Sequence, residues 1–190
     1  MLRLARDRGA DGLALMDAQD LALLSAGCDA AVAAFVLFHL PDPGRSVAEM
    51  FRVLRPAGVV GTATWGVEHV PLANAIWAGE LAAAGAAAAD LPATTNRRCC
   101  DTIKRASALL GHAGFVQISC QVEALEHRWR AEDHFDYHLR SASRIQLESL
   151  DAGQRATCLG HVRRRLAGLG EDQYLFRGEV VLATAVKPAG

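Results

Sequence analysis

No two cysteines of this 190-residue chain stand in the C-x-x-C spacing, and no apolar run is long enough to cross a membrane. The first absence, in an odd set of five cysteines (Cys28, Cys99, Cys100, Cys120, Cys158), argues against a disulfide framework and a structural zinc site and suits a reducing cytoplasm. No secretory leader is expected either, because Met1-Leu2-Arg3-Leu4-Ala5-Arg6-Asp7 carries charges where a signal peptide has its apolar region. Net charge is nearly absent: a formal −1 leaves no electrostatic footprint for nucleic acid or an anionic membrane. The one basic run, Arg163-Arg164-Arg165, lies between Val162 and Leu166 in a helical pattern and reads as a solvated face. Internal repeats are lacking too. What is present is a 51% apolar composition over a typical domain length, enough for a sizeable core, so the expectation is a single cytoplasmic domain over residues 1–190.

Residues 1–9 read as the tail of a helix closed by Gly9, and Leu13 to Met16 as a short strand. Asp29 to Leu37 is continuously apolar after its first residue, the pattern of a strand covered on both faces. Asp42 is a good N-cap, Pro43 fits the first helical position, and Val47, Met50, Phe51 and Leu54 recur at i, i+3, i+4, i+7. Pro56 and Gly58 then stop the helix, and Val59 to Trp65 forms a second buried strand, completing a βαβ unit. Further along, residues 71–84 are expected to be helical, with the Ala-rich stretch through Asp90 as an extension, and Leu91 to Arg98 a loop. Asp101 is expected to cap a short helix ending at Gly111, and Val116 to Ala124 alternates like a strand near a sheet edge. Two helical stripes follow (Phe135, Leu139, Ala142, Ile145 and Leu159, Val162, Leu166, Leu169), then a last strand, Glu179 to Val186. This is an α/β chain.

Three stretches carry a resemblance. They are Met16-Asp17-Ala18-Gln19-Asp20-Leu21; Cys28-Asp29-Ala30-Ala31-Val32 running through Phe35-Val36-Leu37-Phe38-His39-Leu40-Pro41-Asp42-Pro43; and Ala48-Glu49-Met50-Phe51-Arg52-Val53-Leu54-Arg55-Pro56-Ala57-Gly58, leading to Thr64-Trp65-Gly66. In this order and spacing the chain resembles class I S-adenosylmethionine-dependent methyltransferases, the broad group that includes quinone-biosynthesis and small-molecule enzymes. The tail from Leu110 to Val186 is similar to the C-terminal half of that family, so the resemblance covers nearly all of the chain.

The resemblance implies a Rossmann-like three-layer α/β/α fold, S-adenosylmethionine as cofactor and methyl transfer to a small-molecule acceptor. It implies that Asp17 accepts from the adenine amino group, that the Ala18 amide meets an adenine ring nitrogen, and that backbone at Ala34 and Phe35 lies by the methionine portion. For Asp17 the alternative is an ordinary turn residue. The chain departs from the family in one respect: no G-x-G-x-G occurs, and the first strand, Gly-rich loop, first helix and second strand with its ribose-binding acid have no counterpart. On this reading the fold is N-terminally incomplete, with a gap between residues 13–16 and 29–37. Three expectations accompany it: Met1 falls at an internal position of a longer protein, 1–190 alone binds the cofactor weakly, and exposed strand edges pair with a partner chain or a second copy. A non-catalytic methyltransferase-fold partner, or a methyl-independent cyclase or isomerase on the same fold, are the alternative functions.

Other residues are weighed on their chemistry. His39, just past the Asp29–Leu37 strand, is a candidate base beside the substrate, with rim packing the alternative. Trp65 closes its strand as a substrate-pocket wall or as simple core. His134 and His138 stand at i, i+4, but a zinc site needs three or four convergent ligands and none is evident, so no metal is expected. Cys99-Cys100 stands beside Arg97 and Arg98 without a base and is read as incidental.

Overall fold

The computed structural model describes residues 2–87, 96 and 98–189. Its strands are β1 (Cys28–Ala34), β2 (Leu54–His69), β3 (Val116–Arg128) and β4 (Leu175–Val186), in the sheet order β1-β2-β4-β3. The helices are α1 (Leu2–Asp7), α2 (Pro43–Val53), α3 (Leu72–Ala83), α4 (Ile103–His112), α5 (Ala131–Arg140), α6 (Ala142–Glu148) and α7 (Ala152–Ala167), with 3-10 turns at Leu37–His39 and Glu171–Tyr174. β1 and β2 are parallel, paired from Ala30↔Val59 to Ala34↔Ala63, and α2 joins them as the expected βαβ crossover. β4 enters antiparallel, Lys187 exchanging backbone hydrogen bonds with Ala57 and Gly58 (3.0 and 2.9 Å). The Ala-rich stretch beyond residue 87 and most of the Leu91–Arg98 loop lie outside the described residues.

Two compact units make up the chain: Met1–Thr64 with Thr94–Val122 and Val181–Gly190, and Trp65–Ala93 with Glu123–Val180. The first unit is built on α2. Asp42 caps it, its Oδ1 accepting from the Arg45 N–H at 2.9 Å, and Pro43 opens the first turn where no donor is needed. The apolar stripe then buries Val47, Met50, Val53 and Leu54 with Leu110 and Phe115 of the α4 region and Val181, Ala183 and Ala185 of β4. At the end of α2 the Lys187 ammonium donates to the Phe51 and Leu54 carbonyls (2.8 and 2.7 Å), where the helix leaves acceptors unpaired. Gly58 is obligatory in the β1–β2 pairing, since a Cβ there would stand 2.8 Å from the Arg55 carbonyl oxygen and 3.1 Å from that of Asp29. In the second unit, Trp77, Leu81, Phe135, Leu147, Cys158, Val162 and Tyr174 form a separate core.

Four sequence expectations are corrected. Leu13 to Met16 is not a strand; only the isolated bridge Asp17↔Asp20 forms, and Leu15 is 88% exposed. A strand needs a hydrogen-bonded neighbour, and among the described residues nothing pairs with this run. β1 is not covered on both faces: Val32 is 76% exposed, and the strand ends at Ala34 instead of Leu37. Small alanines carry the apolar run without demanding deep burial. Thr102, not Asp101, caps α4, its hydroxyl accepting from the Arg105 N–H, while the Asp101 carboxylate pairs with the Arg105 guanidinium at 2.8 Å. The stripe of Phe135 and Leu139 does not run on to Ile145, because the helix breaks at Ser141 and the phase of α6 is reset, leaving Ile145 42% exposed. The expected edge position of β3 is where the sheet order puts it.

Candidate functional site

In the first unit, Asp17 and Ala18 occupy a tight turn. The Gln19 N–H donates to Asp17 Oδ1 (2.8 Å) and the Asp20 N–H to the Asp17 carbonyl (3.1 Å), an arrangement Asp adopts readily. α2 holds the turn in place. Gln19 Oε1 accepts from the Asp42 N–H (2.7 Å), Arg45 Nε donates to the Gln19 carbonyl (2.8 Å), and the Leu21 N–H donates to Glu49 Oε2 (2.7 Å). Arg52 donates to the Leu21 and Leu23 carbonyls, 2.8 Å each, and pairs with Glu49 at 2.7 Å. The Arg52 hydrogen bond, then the Leu21 N–H, hold the Glu49 carboxyl at about 2, far below the ordinary 4.5. What the turn presents is an exposed Asp17 carboxylate whose Oδ2 has no partner among the described residues, next to an Ala18 N–H that also has none. An acceptor and a donor on adjacent residues match the amino group and ring nitrogen of an adenine edge.

The clamp was not visible in the sequence, although Glu49 and Arg52 stand at the i, i+3 spacing that pairs charges on a helix. Glu49→Ala is expected to remove the acceptor of the Leu21 N–H and strip that amide of its exchange protection, with α2 still folded. Hydrogen exchange that leaves Leu21 as protected as before would remove the clamp from the account.

Ala34 and Phe35 stand at the carboxyl end of β1, where open α/β sheets bind ligands. Phe35 takes the left-handed conformation (φ 54°) while its N–H donates to the Ala63 carbonyl at 2.8 Å. A bulky residue there is strained, and such strain concentrates at ligand clamps. His39 is exposed at the end of the following 3-10 turn, its ring 4.3 Å from that of Phe38. These residues belong to the same unit as the Asp17 turn.

Trp65 belongs to the second unit, where it lines a cleft of about 490 Å³ with Glu68, Asn74, Trp129, Tyr137 and Phe176. Trp65 meets Phe176 edge to face (5.8 Å), and Trp129 lies 5.0 Å from Tyr137. Aromatic walls with a few polar groups suit a flat or cationic organic molecule. Asn74 links the cleft to a buried pair, its Oδ1 bonded to His134 Nε2 at 2.9 Å; the His134 and His138 rings are 4.7 Å apart and 1% and 7% exposed. Burial pushes both imidazoles down to about 4. No group of three His, Cys, Asp or Glu able to hold a metal occurs among the described residues. No helix among them is long and apolar enough to cross a membrane.

With this geometry the fold is the Rossmann-like α/β fold of class I methyltransferases. Residues 1–61, which include the Asp17 turn, β1, α2 and the first half of β2, match the family model of the methyltransferase domain. Beyond residue 61 the likeness is one of fold. The YcgJ protein of Bacillus subtilis superposes with a TM-score of 0.54 at 14% identity, over 100% of this chain and 77% of its own. An S-adenosylmethionine-dependent methyltransferase of Thermotoga maritima gives 0.52 at 17% identity, over 98% and 69%. A candidate type II methyltransferase of Anaeromyxobacter dehalogenans gives 0.50 at 22%, over 93% and 71%.

Proposed function

We propose that this chain serves methyl transfer from S-adenosylmethionine to a small-molecule acceptor, and that the Asp17 turn holds the adenine. The observation that carries the proposal is the Oδ2 of Asp17 beside the N–H of Ala18, neither with a partner among the described residues, on a turn that α2 has already fixed. Preorganised in this way, the turn loses little freedom on binding. Asp17 accepts from the exocyclic amine and Ala18 donates to the adjacent ring nitrogen. The Ala34–Phe35 backbone lies along the methionine portion, where the strained φ of Phe35 shapes the end of β1. When bound, the cofactor supplies an electrophilic methyl group on its sulfonium.

The chain's part in transfer is to align an acceptor lone pair and exclude water, so a strong base is not required. His39, in the same unit as the Asp17 turn, takes the proton an acceptor releases. The test is ligand-observed NMR with S-adenosylhomocysteine, which detects weak binding. Saturation transfer to the adenine protons is expected, and Asp17→Ala should weaken binding by about 1–3 kcal/mol, roughly 10- to 100-fold. Equal adenine signals from both proteins, or none from either, would sink the proposal.

A further inference from the structure

Cys99 and Cys100 precede α4 in the first unit, and their sulfurs are 3.2 Å apart, in contact but not bonded. The two are unequal: Cys100 is 1% exposed within the core, whereas Cys99 is half-buried and reaches solvent. Beside Cys100 lies the Thr64 hydroxyl, itself 2% exposed. It is near enough to favour a Cys100 thiolate yet not aligned as a hydrogen bond, and it has no other partner among the described residues. That is an orphaned buried donor next to a thiol.

We propose that Cys99 and Cys100 form a redox-active vicinal dithiol, which a low-molecular-weight disulfide converts into a disulfide between the two adjacent residues. The asymmetry divides the labour. Cys99 is the residue of the pair that reaches solvent, so its thiolate attacks the incoming disulfide, forming a mixed disulfide and expelling one small thiolate. Cys100 then attacks the Cys99 sulfur, closing the ring and expelling the second small thiolate. Two protein thiols are oxidised, one small disulfide is reduced, and the two protons end on the two small thiols. Cys100 suits the second role. Once Cys99 is in the mixed disulfide it has no proton to donate, and the Thr64 hydroxyl is what favours the Cys100 thiolate against the opposing effect of burial. In the free dithiol the hydrogen bond between the two sulfurs pushes Cys99 up, so its first attack runs through a minor thiolate fraction and is the slow step. The sulfurs need to close by only about 1.2 Å.

Adjacent residues hold their Cα atoms about 3.8 Å apart, below the usual range for a disulfide, so the ring is strained. Strained disulfides are readily reduced, which makes this one reversible. Cys28, Cys120 and Cys158 have no sulfur partner in the structure and stay reduced.

Trypsin provides a clean readout, because cleavage after Arg98 and Lys104 releases a peptide of residues 99–104 that contains only these two cysteines. The folded chain is incubated with oxidised glutathione, alkylated in denaturant, digested and weighed. Residues 99–104 are expected mainly as a species lighter by two hydrogens and free of alkyl groups, restored by reduced glutathione, with the other three cysteines alkylated. In Cys100→Ser, Cys99 should keep glutathione as a stable adduct, since nothing resolves it. Glutathione retained on wild-type Cys99, both thiols alkylated, or a crosslink to another cysteine would each overturn the proposal. The wild-type measurement decides even if the variant fails to fold.

Discussion

Trp77→Ala is expected to destabilise the protein by about 3–5 kcal/mol, the cost of emptying a large, fully enclosed aromatic site. Trp77 is 0% exposed, lies 5.1 Å from Phe135 and stacks on His138 at 4.8 Å with 15° between the planes. Removing it opens a void between α3, α5 and the buried histidines. The indole N–H is buried without a partner among the described residues, so the residue is kept for shape and not for hydrogen bonding. Trp77→Phe should therefore cost much less than alanine, because it deletes the orphaned donor while filling most of the volume. Urea denaturation checks both. An alanine variant within 1 kcal/mol of wild type would mean the second core is not organised around this ring. Against a typical total of about 5–15 kcal/mol, the expected loss leaves the variant marginal.

How far the sequence reveals this molecule depends on whether a signal is local. α2 was legible because its information is contiguous: the Asp42 cap, Pro43 and the Val47–Met50–Leu54 stripe all lie within thirteen residues. The β1–α2–β2 unit followed from it. The run at 13–16 was misread because strand formation depends on a neighbour that local apolarity cannot reveal. Thr102 and Asp101 are both good caps by residue type, and the Asp101 carboxylate is engaged by the Arg105 guanidinium instead, a contact not legible from the cap pattern. Ser141 carries no strong breaker signal, so the phase change that exposes Ile145 was hidden.

The candidate site divides in the same manner. Asp17, Ala18, Ala34 and Phe35 came from the family resemblance. Their supports did not, because Gln19, Glu49 and Arg52 act through hydrogen bonds spanning up to 31 residues. Trp65 was named, but Glu68, Asn74, Trp129, Tyr137 and Phe176, drawn from scattered segments, meet it only in three dimensions. The cysteine pair was visible as a dipeptide. Its chemistry was not, since this depends on the unequal burial of two neighbours and on a hydroxyl 36 residues away in sequence.

Acidification from neutral pH towards 4 is expected to remove several kcal/mol of stability through His134 and His138. Both rings are held neutral. His134 Nε2 bonds the Asn74 amide oxygen and so carries the hydrogen, leaving a bare Nδ1 in the core; His138 Nδ1 bonds Ser143 Oγ at 2.8 Å, leaving Nε2 bare. Their ring neighbours are Trp77, Trp129, Tyr137 and Tyr174, and among the described residues no carboxylate acts on either ring to compensate a positive charge. Protonation would bury a cation with an unsatisfied N–H, and a second cation beside the first would be worse. Because burial lowers each folded-state value to about 4 from the ordinary 6.5, the unfolded chain binds more protons between these limits. Stability is fully present above about 6.5 and is lost as pH falls towards 4, by roughly 3 kcal/mol for each ring, less than additively because the two interact. Glu49 acts in a lower window, below its ordinary 4.5 and towards 2, so the two contributions separate on the pH axis. Urea midpoints at pH 7, 6 and 5 should decline steeply for the wild type and much less for His134→Gln/His138→Gln, whose absolute stability at pH 7 need not match. Parallel profiles for the two proteins, or imidazole NMR signals titrating near 6.5, would show that these rings are not held neutral by the fold.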